Sequence, residues 1–226
     1  MIGTHLENNM AEVQSHGFTW EADLLQNVYG LTKEEKAQIS YTEKFDLPSR
    51  FNKLGPVNIS VKCIGEKNAI CMGDALRVFD EVSASKTPLH LTLVSYEQVG
   101  NTKNVKAIKE LNLTDSTALL FGSLTRSQIQ ELDTLIKAVP QKRAPTEDEK
   151  KAIKAKQAEL NRLSGYIQFN PKVNTQQSRL QCSFSFKQFQ AFLTQHPERI
   201  VAQSTTNQFK GGSIQASIQA GPRVFH

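Results

Sequence analysis

Between residues 55 and 65 the chain reads GPVNISVKCIG, in which apolar and polar side chains alternate with a period of two. Side chains two apart on a strand share a face, so Ile59, Val61 and Cys63 fall on one side and Ser60 and Lys62 on the other. The pattern predicts a half-buried strand. A tight turn, GEKN, and a second apolar run, AICMG, predict its hairpin partner. PLHLTLVSYEQ and NVKAIKELNLT are two more expected strands, the first apolar enough for the centre of a sheet. YTEKFDLP reads as a short extended segment that carries Asp46 and is ended by Pro48.

Helical spacing alternates with these strands. FTWEADLLQNV places Phe18, Leu24, Leu25 and Val28 near one stripe, with Glu21 in its early turns and Gly30 as a stop. GDALRVFDEV follows the apolar run AICMG, with Asp74 at or near its N-cap. TRSQIQELDTLIKAV opens after Ser123 or Thr125 and is closed by Pro140. A basic helix over residues 147–163 has an acidic first turn and a glycine stop. From Tyr166 the chain becomes rich in Gln, Asn, Ser and Thr, with short alternating strands such as RLQCSFSF. The order helix, strand, strand, strand, helix, strand, strand predicts a mixed α/β fold. A loose N-terminal arm (residues 1–16), a core (17–140) and a basic C-terminal region (141–226) are expected, the last either separate or integral to one domain.

Composition narrows the function. With 226 residues, 38% hydrophobic and 22% charged, the chain is an ordinary soluble globular protein. It has no apolar run long enough to span a bilayer and no secretory signal at its start, so a cytoplasmic protein without a membrane partner is expected. Cys63, Cys71 and Cys182 are odd in number and widely spaced, which argues for reduced thiols, and the five histidines show no metal-ligand spacing. Charge is uneven: residues 1–136 hold 13 Lys/Arg against 17 Asp/Glu, and residues 137–226 hold 14 against 5. A basic C-terminal part suits a polyanionic partner such as nucleic acid.

Lys62 stands on the polar face of its strand, where solvent is the default neighbour. The residues expected around it suggest more. Asp46 closes the preceding segment, Asp74 opens the following helix, and Glu21 rides the preceding one. Each has a plain structural reading too: Asp46 as a turn cap before Pro48, Asp74 as an N-cap, Glu21 as the exposed face of a helix. Carboxylates converging on a lysine suit Mg²⁺, which prefers hard oxygen ligands, while the lysine stabilises an attacking hydroxide or the developing phosphorane charge.

Asp46, then SVK at 60–62, within this order of elements over roughly residues 17–112, resembles the PD-(D/E)XK nuclease superfamily, which includes most type II restriction endonucleases. In that family an Asp on one strand is followed by E-x-K on the next. Ser60 stands where the family carries Glu or Asp. The resemblance implies a restriction-endonuclease-like core with a mixed central sheet flanked by helices, extended by a basic C-terminal helix and strands. It implies Mg²⁺ as cofactor, held by Asp46 and a second acid, with Lys62 orienting or activating water and Ser60 positioning a metal-bound water. Asp74 is the preferred second acid, Glu21 the next candidate and Glu97 a weaker third. It also implies a homodimer or higher homo-oligomer, since palindromic sites ask for two-fold symmetry.

Duplex DNA needs side chains that hold phosphates and others that reach base edges. Arg77 is a candidate for phosphate, or a partner of Asp74 or Asp80. In RLQCSFSF the alternation places Arg179, Gln181 and Ser183 on one face and Leu180, Cys182 and Phe184 on the other, with Lys172 and Lys210 as further candidate DNA contacts. The expected function is site-specific, Mg²⁺-dependent cleavage of double-stranded DNA. A non-catalytic DNA-binding protein and a structure-specific repair or junction nuclease are the alternatives.

Overall fold

The computed structural model describes residues 19–40, 43–84, 86–140 and 142–219. The expected arm over 1–16 and Phe18 lie outside them. The chain divides into two compact units, each assembled from separated stretches: residues 1–67, 87–112 and 198–226, and residues 68–86 and 113–197. The boundary expected near residue 140 lies inside the second.

The first unit is built on a mixed sheet. Strand β1 (Asn58–Gly65) pairs in parallel with β3 (Leu89–Val99), and β3 pairs antiparallel with β4 (Thr102–Asn112). The far edge of the long β4 is shared, with β10 (Ser217–Gln219) lying against its start and β7 (Ile200–Ser204) against its end, both antiparallel. The apolar run of β3 therefore sits at the centre, as its composition predicts. Helix α1 (residues 19–28) ends in a π turn over Leu24–Val28 and buries Trp20, Leu24, Leu25 and Val28 with Ile59, Val61, Val94 and Ile108. Trp20 also donates from Nε1 to Gln215 O at 2.8 Å and lies 5.3 Å from the Tyr96 ring, so the helix is pinned by both apolar and polar contacts. A short helix, α2 (Lys33–Ala37), follows with a capping box at Thr32 and Glu35. A two-residue ribbon of β8 (Gln208–Phe209) and β9 (Gly212–Ser213) completes this unit.

Two local expectations change. Strand β2 (Ile70–Asp74) is no hairpin partner of β1; it pairs antiparallel with β6 (Ser178–Phe184) in the second unit. One edge of β1 is taken by β3, and the other meets Leu47, which exchanges two backbone hydrogen bonds with Ile59. The short strand expected around Asp46 shrinks to that single bridge. Parallel pairing of β1 with β3 needs a long crossover, which the intervening segment supplies.

The second unit holds the antiparallel sheet β2-β6-β5, with β5 spanning Gln168–Val173, and helices α3 (Ala75–Ala84), α4 (Thr117–Phe121), α5 (Arg126–Lys137), α6 (Glu147–Leu163) and α7 (Phe186–Gln195). Helices α5 and α6 start at Thr125 and Thr146, each in a capping box, and match their sequence signals. Helix α7 does not: the alternation expected through RLQCSFSF stops at Phe184, because the Ser185 hydroxyl accepts the Gln188 N–H at 3.2 Å and opens a helix there. An aromatic chain of Phe79, Phe121 and Phe169, and another of Phe184, Phe189 and Phe192, fill this core.

Close backbone contact at one point leaves no room for side chains. Tyr166 and Ile167 donate their N–H groups to Leu119 O and Leu120 O, and a Cβ on Gly122 or Gly165 would lie 2.3 Å from Leu163 O or 1.9 Å from Leu119 O. Gly122 also adopts a φ of +62°. Gly122→Ala and Gly165→Ala are each expected to cost about 2 kcal/mol or more, which a lowered urea midpoint for the second unit would show.

Candidate functional site

The outer edge of β1 is where chemistry gathers. Alternation along this strand buries Ile59 and Val61 and leaves Ser60 and Lys62 partly exposed, as the sequence pattern indicates. On an edge strand every second N–H points away from the sheet and needs a partner. The N–H of Val61 finds it in Asp46, whose Oδ2 accepts at 2.7 Å. The same oxygen lies 3.4 Å from Lys62 Nζ, which also donates to Val61 O at 2.8 Å. One carboxylate thus caps the edge and anchors the lysine. Asp46 Oδ1 makes no hydrogen bond among the described residues and is left for another ligand.

Glu21, on α1, completes the group. Its carboxyl is half-buried, makes no hydrogen bond among the described residues, and is pushed up to about 7, first by burial and then by the Asp46 carboxylate, while Lys62 and Lys36 pull it down. A buried carboxyl whose proton affinity is raised by a neighbouring carboxylate, with one amine nearby, is short of positive charge. The neighbouring Cys63 thiol is pushed up to about 12, chiefly by burial and then by Glu21, so it remains a neutral core thiol. The described cysteines are all free.

Asp74 belongs to the second unit, where its Oδ1 accepts the Arg77 N–H at 3.0 Å and caps α3. The acid placed beside Asp46 and Lys62 is Glu21. Glu97 pairs with Lys106 at 3.1 Å on the β3–β4 hairpin. Arg77 pairs with neither Asp74 nor Asp80 through its side chain; its Nε lies 3.5 Å from Glu81, and Asp80 takes both arms of Arg126 at 2.7 and 3.0 Å. Ser60 shares the Lys62 face of β1.

Two of the expected DNA contacts are already engaged. Lys210 Nζ lies 2.5 Å from Glu110 Oε2, inside a network in which His90 Nδ1 meets Glu110 Oε1 at 2.6 Å, and Tyr29 donates to Glu110 at 2.9 Å and meets Thr92 at 2.6 Å. Burial alone would push the Glu110 carboxyl up, but hydrogen bonds from His90 and Lys210 hold it below its ordinary value. The cation that would have met phosphate neutralises a buried acid instead. Ser183 is buried and accepts the Asn170 amide at 2.7 Å, so it is not presented to a base. Sequence offered no cue to the Glu110 network, because its members lie on four separate segments.

Asp46 and Glu21 offer two carboxylates for a divalent ion, fewer than a closed protein cage; no group of three His, Cys, Asp or Glu fit to hold a metal occurs among the described residues. Mg²⁺ commonly takes one or two carboxylates and fills its remaining positions with water and substrate phosphate, so the donor set suits it. No helix among the described residues is long and apolar enough to cross a membrane. Comparison with protein-family models, curated proteins and solved structures found no match to this chain.

The raised Glu21 carboxyl binds its proton more tightly folded than unfolded. It therefore stabilises the fold fully below about pH 4.5, and that contribution is lost as pH rises through about 7. In EDTA, Glu21→Gln is expected to remove this loss and to be more stable than the parent at pH 8, by at most about 3 kcal/mol, with the difference shrinking toward pH 4.5; melting curves across that range measure it. Lys210→Ala strands Glu110 without its cation and is expected to cost about 3 kcal/mol in a denaturant titration.

Proposed function

We propose that the protein is a Mg²⁺-dependent endonuclease that hydrolyses phosphodiester bonds of double-stranded DNA at a short recognition sequence, with a restriction-endonuclease-like core. One observation carries this reading: on a strand edge the Asp46 carboxylate, with one oxygen open, lies against the Lys62 amine, and the unpartnered carboxyl of Glu21 is near enough to feel both charges. The resemblance to PD-(D/E)XK nucleases adds weight through position. An acid on the first helix, an Asp just before an antiparallel bridge, a lysine three residues past that bridge, and then a parallel strand after a helical crossover follow that family's order.

Asp46 and Glu21 would hold the ion, Glu21 in place of the acid that Ser60 does not supply. Bound there, Mg²⁺ would supply a Lewis acid for the scissile phosphate and lower the pKa of the water that attacks it. Lys62, fixed by Val61 O and Asp46, orients that water and stabilises negative charge that develops on the phosphate. Ser60 positions a water on the same face. A homodimer would match a two-fold symmetric site.

A non-catalytic DNA-binding protein is the second reading, favoured by the small number of carboxylates at the site. Incubation with Mg²⁺ and mixed plasmid and viral DNA separates the two: discrete bands mean site-specific cleavage, smears or nicks mean a shape-reading nuclease, and intact DNA favours the second reading.

Asp46→Asn keeps an acceptor for the Val61 N–H while discarding the charge, so it tests chemistry more than folding. It and Lys62→Ala are each expected to lower cleavage by about 10²–10³-fold or more, and Glu21→Gln to lower it likewise, with DNA binding retained in all three; Asp74→Ala should cut normally. Full cutting by Lys62→Ala would remove the assignment.

A further inference from the structure

Toward its outer end the ribbon formed by β5 and β6 has one face that points away from the core. Pro171, Phe169, Leu180, Cys182 and Phe184 point inward, and the last four are buried. On the opposite face, Lys172 stands directly across from Arg179, and Asn170 directly across from Gln181 one rung further in. Lys172 and Arg179 are both exposed. Like charges directly opposite on antiparallel strands repel. Neither cation has an ion-pair partner among the described residues, and neither β5 nor β6 contains an acid. Gln181 likewise makes no side-chain hydrogen bond among the described residues. The acid nearest in register is Asp74, across from Gln181 on β2, and it is committed to capping α3.

Addition of a strand to this ribbon is closed off. The outward N–H of Phe169 donates to Asn161 Oδ1 at 2.8 Å, its carbonyl accepts from Gln157 Nε2 at 2.8 Å, and Pro171 has no N–H. What remains available is the face, with two cations at its outer end, an arginine and a glutamine in alternate positions of β6, and an exposed amide turn over residues 174–176. Past Asp74, the last residue of β2 to pair with β6, the strands β5 and β6 continue as a pair, of a width that the B-DNA major groove admits. Arg reads guanine there and Gln reads adenine, and a cation pair is relieved by phosphate.

We propose that this face of the β5–β6 ribbon enters the major groove of duplex DNA, with Lys172 and Arg179 at phosphates or guanine and Gln181 at base edges. The inference rests on the reading of the protein as one that acts on DNA, and it names the surface that meets the duplex. Lys172 and Arg179 keep the role expected of them, whereas Lys210 and Ser183 do not.

Fluorescence anisotropy of the full chain in EDTA, with a pool of short random-sequence DNA duplexes at several salt concentrations, tests it without cleavage. The double variant Lys172→Gln/Arg179→Gln is expected to bind about ten-fold or more weakly and to flatten the slope of log affinity against log salt by about 1.8, two phosphates at about 0.9 each. Lys151→Gln/Lys154→Gln, which removes the same charge from the exposed face of α6, is expected to change neither. Gln181→Ala is expected to keep the slope and alter which sequences are enriched from the pool. Unchanged affinity and slope in the ribbon variant, or a loss confined to the α6 variant, overturns the proposal while leaving Mg²⁺-dependent cutting by the parent protein intact. Tighter binding of duplex RNA, whose major groove admits no ribbon, also overturns it. Ribbon-dependent DNA binding with no cutting in Mg²⁺ supports the proposal and removes the nuclease reading instead.

Discussion

A single carboxylate at the edge of a sheet organises the first unit's chemistry. An edge strand exposes N–H groups that must be satisfied, and Asp46 answers that of Val61 with the oxygen that also lies against Lys62. The backbone of β1 thereby fixes the acid, and the acid helps fix the amine. Glu21 reaches the same place from a helix whose other side chains, Trp20, Leu24 and Leu25, are locked in the core. Apolar packing sets the helix, and the helix delivers a carboxyl to a spot where its own charge is penalised. A cation would relieve that penalty, and the proposed ion site rests on this thermodynamic cost of the fold.

Elsewhere the fold spends charge on itself. Glu110 is buried under the β8–β9 ribbon and collects hydrogen bonds from His90, Tyr29 and Lys210, a fully satisfied arrangement of the kind that can hold a buried acid ionised. In the second unit the partly exposed Asp80 takes both arms of Arg126, and the buried Glu81 lies 3.5 Å from Arg77. These pairings separate cations that are structural from those that face outward, and among the described residues they leave Lys172 and Arg179 as a directly opposed pair with no acidic partner.

Much of this was legible in the chain. The alternation of NISVKCIG told which side of β1 would carry Lys62, the apolar run of β3 told that it would be central, and a cap at Ser123 or Thr125 and an acidic first turn from residue 147 told where α5 and α6 begin. The faces of β6 were readable for the same reason, since a period of two needs no knowledge of partners. These are local properties, decided within a few residues by backbone geometry and solvent preference.

Partners were not legible, because pairing depends on segments far apart along the chain. A turn signal after β1 implied a hairpin, yet β3 and Leu47 occupy both of its edges and β2 pairs with β6, more than a hundred residues on. An acid near a helix start made Asp74 the preferred second acid, and it caps α3, while Glu21, the next candidate, is the acid whose carboxyl feels Asp46 and Lys62. Sequence by itself determined which residues face together on each element, through periodicity. Only the tertiary structure decided which faces meet, since that choice is made by long-range burial and by the need to satisfy every buried polar group.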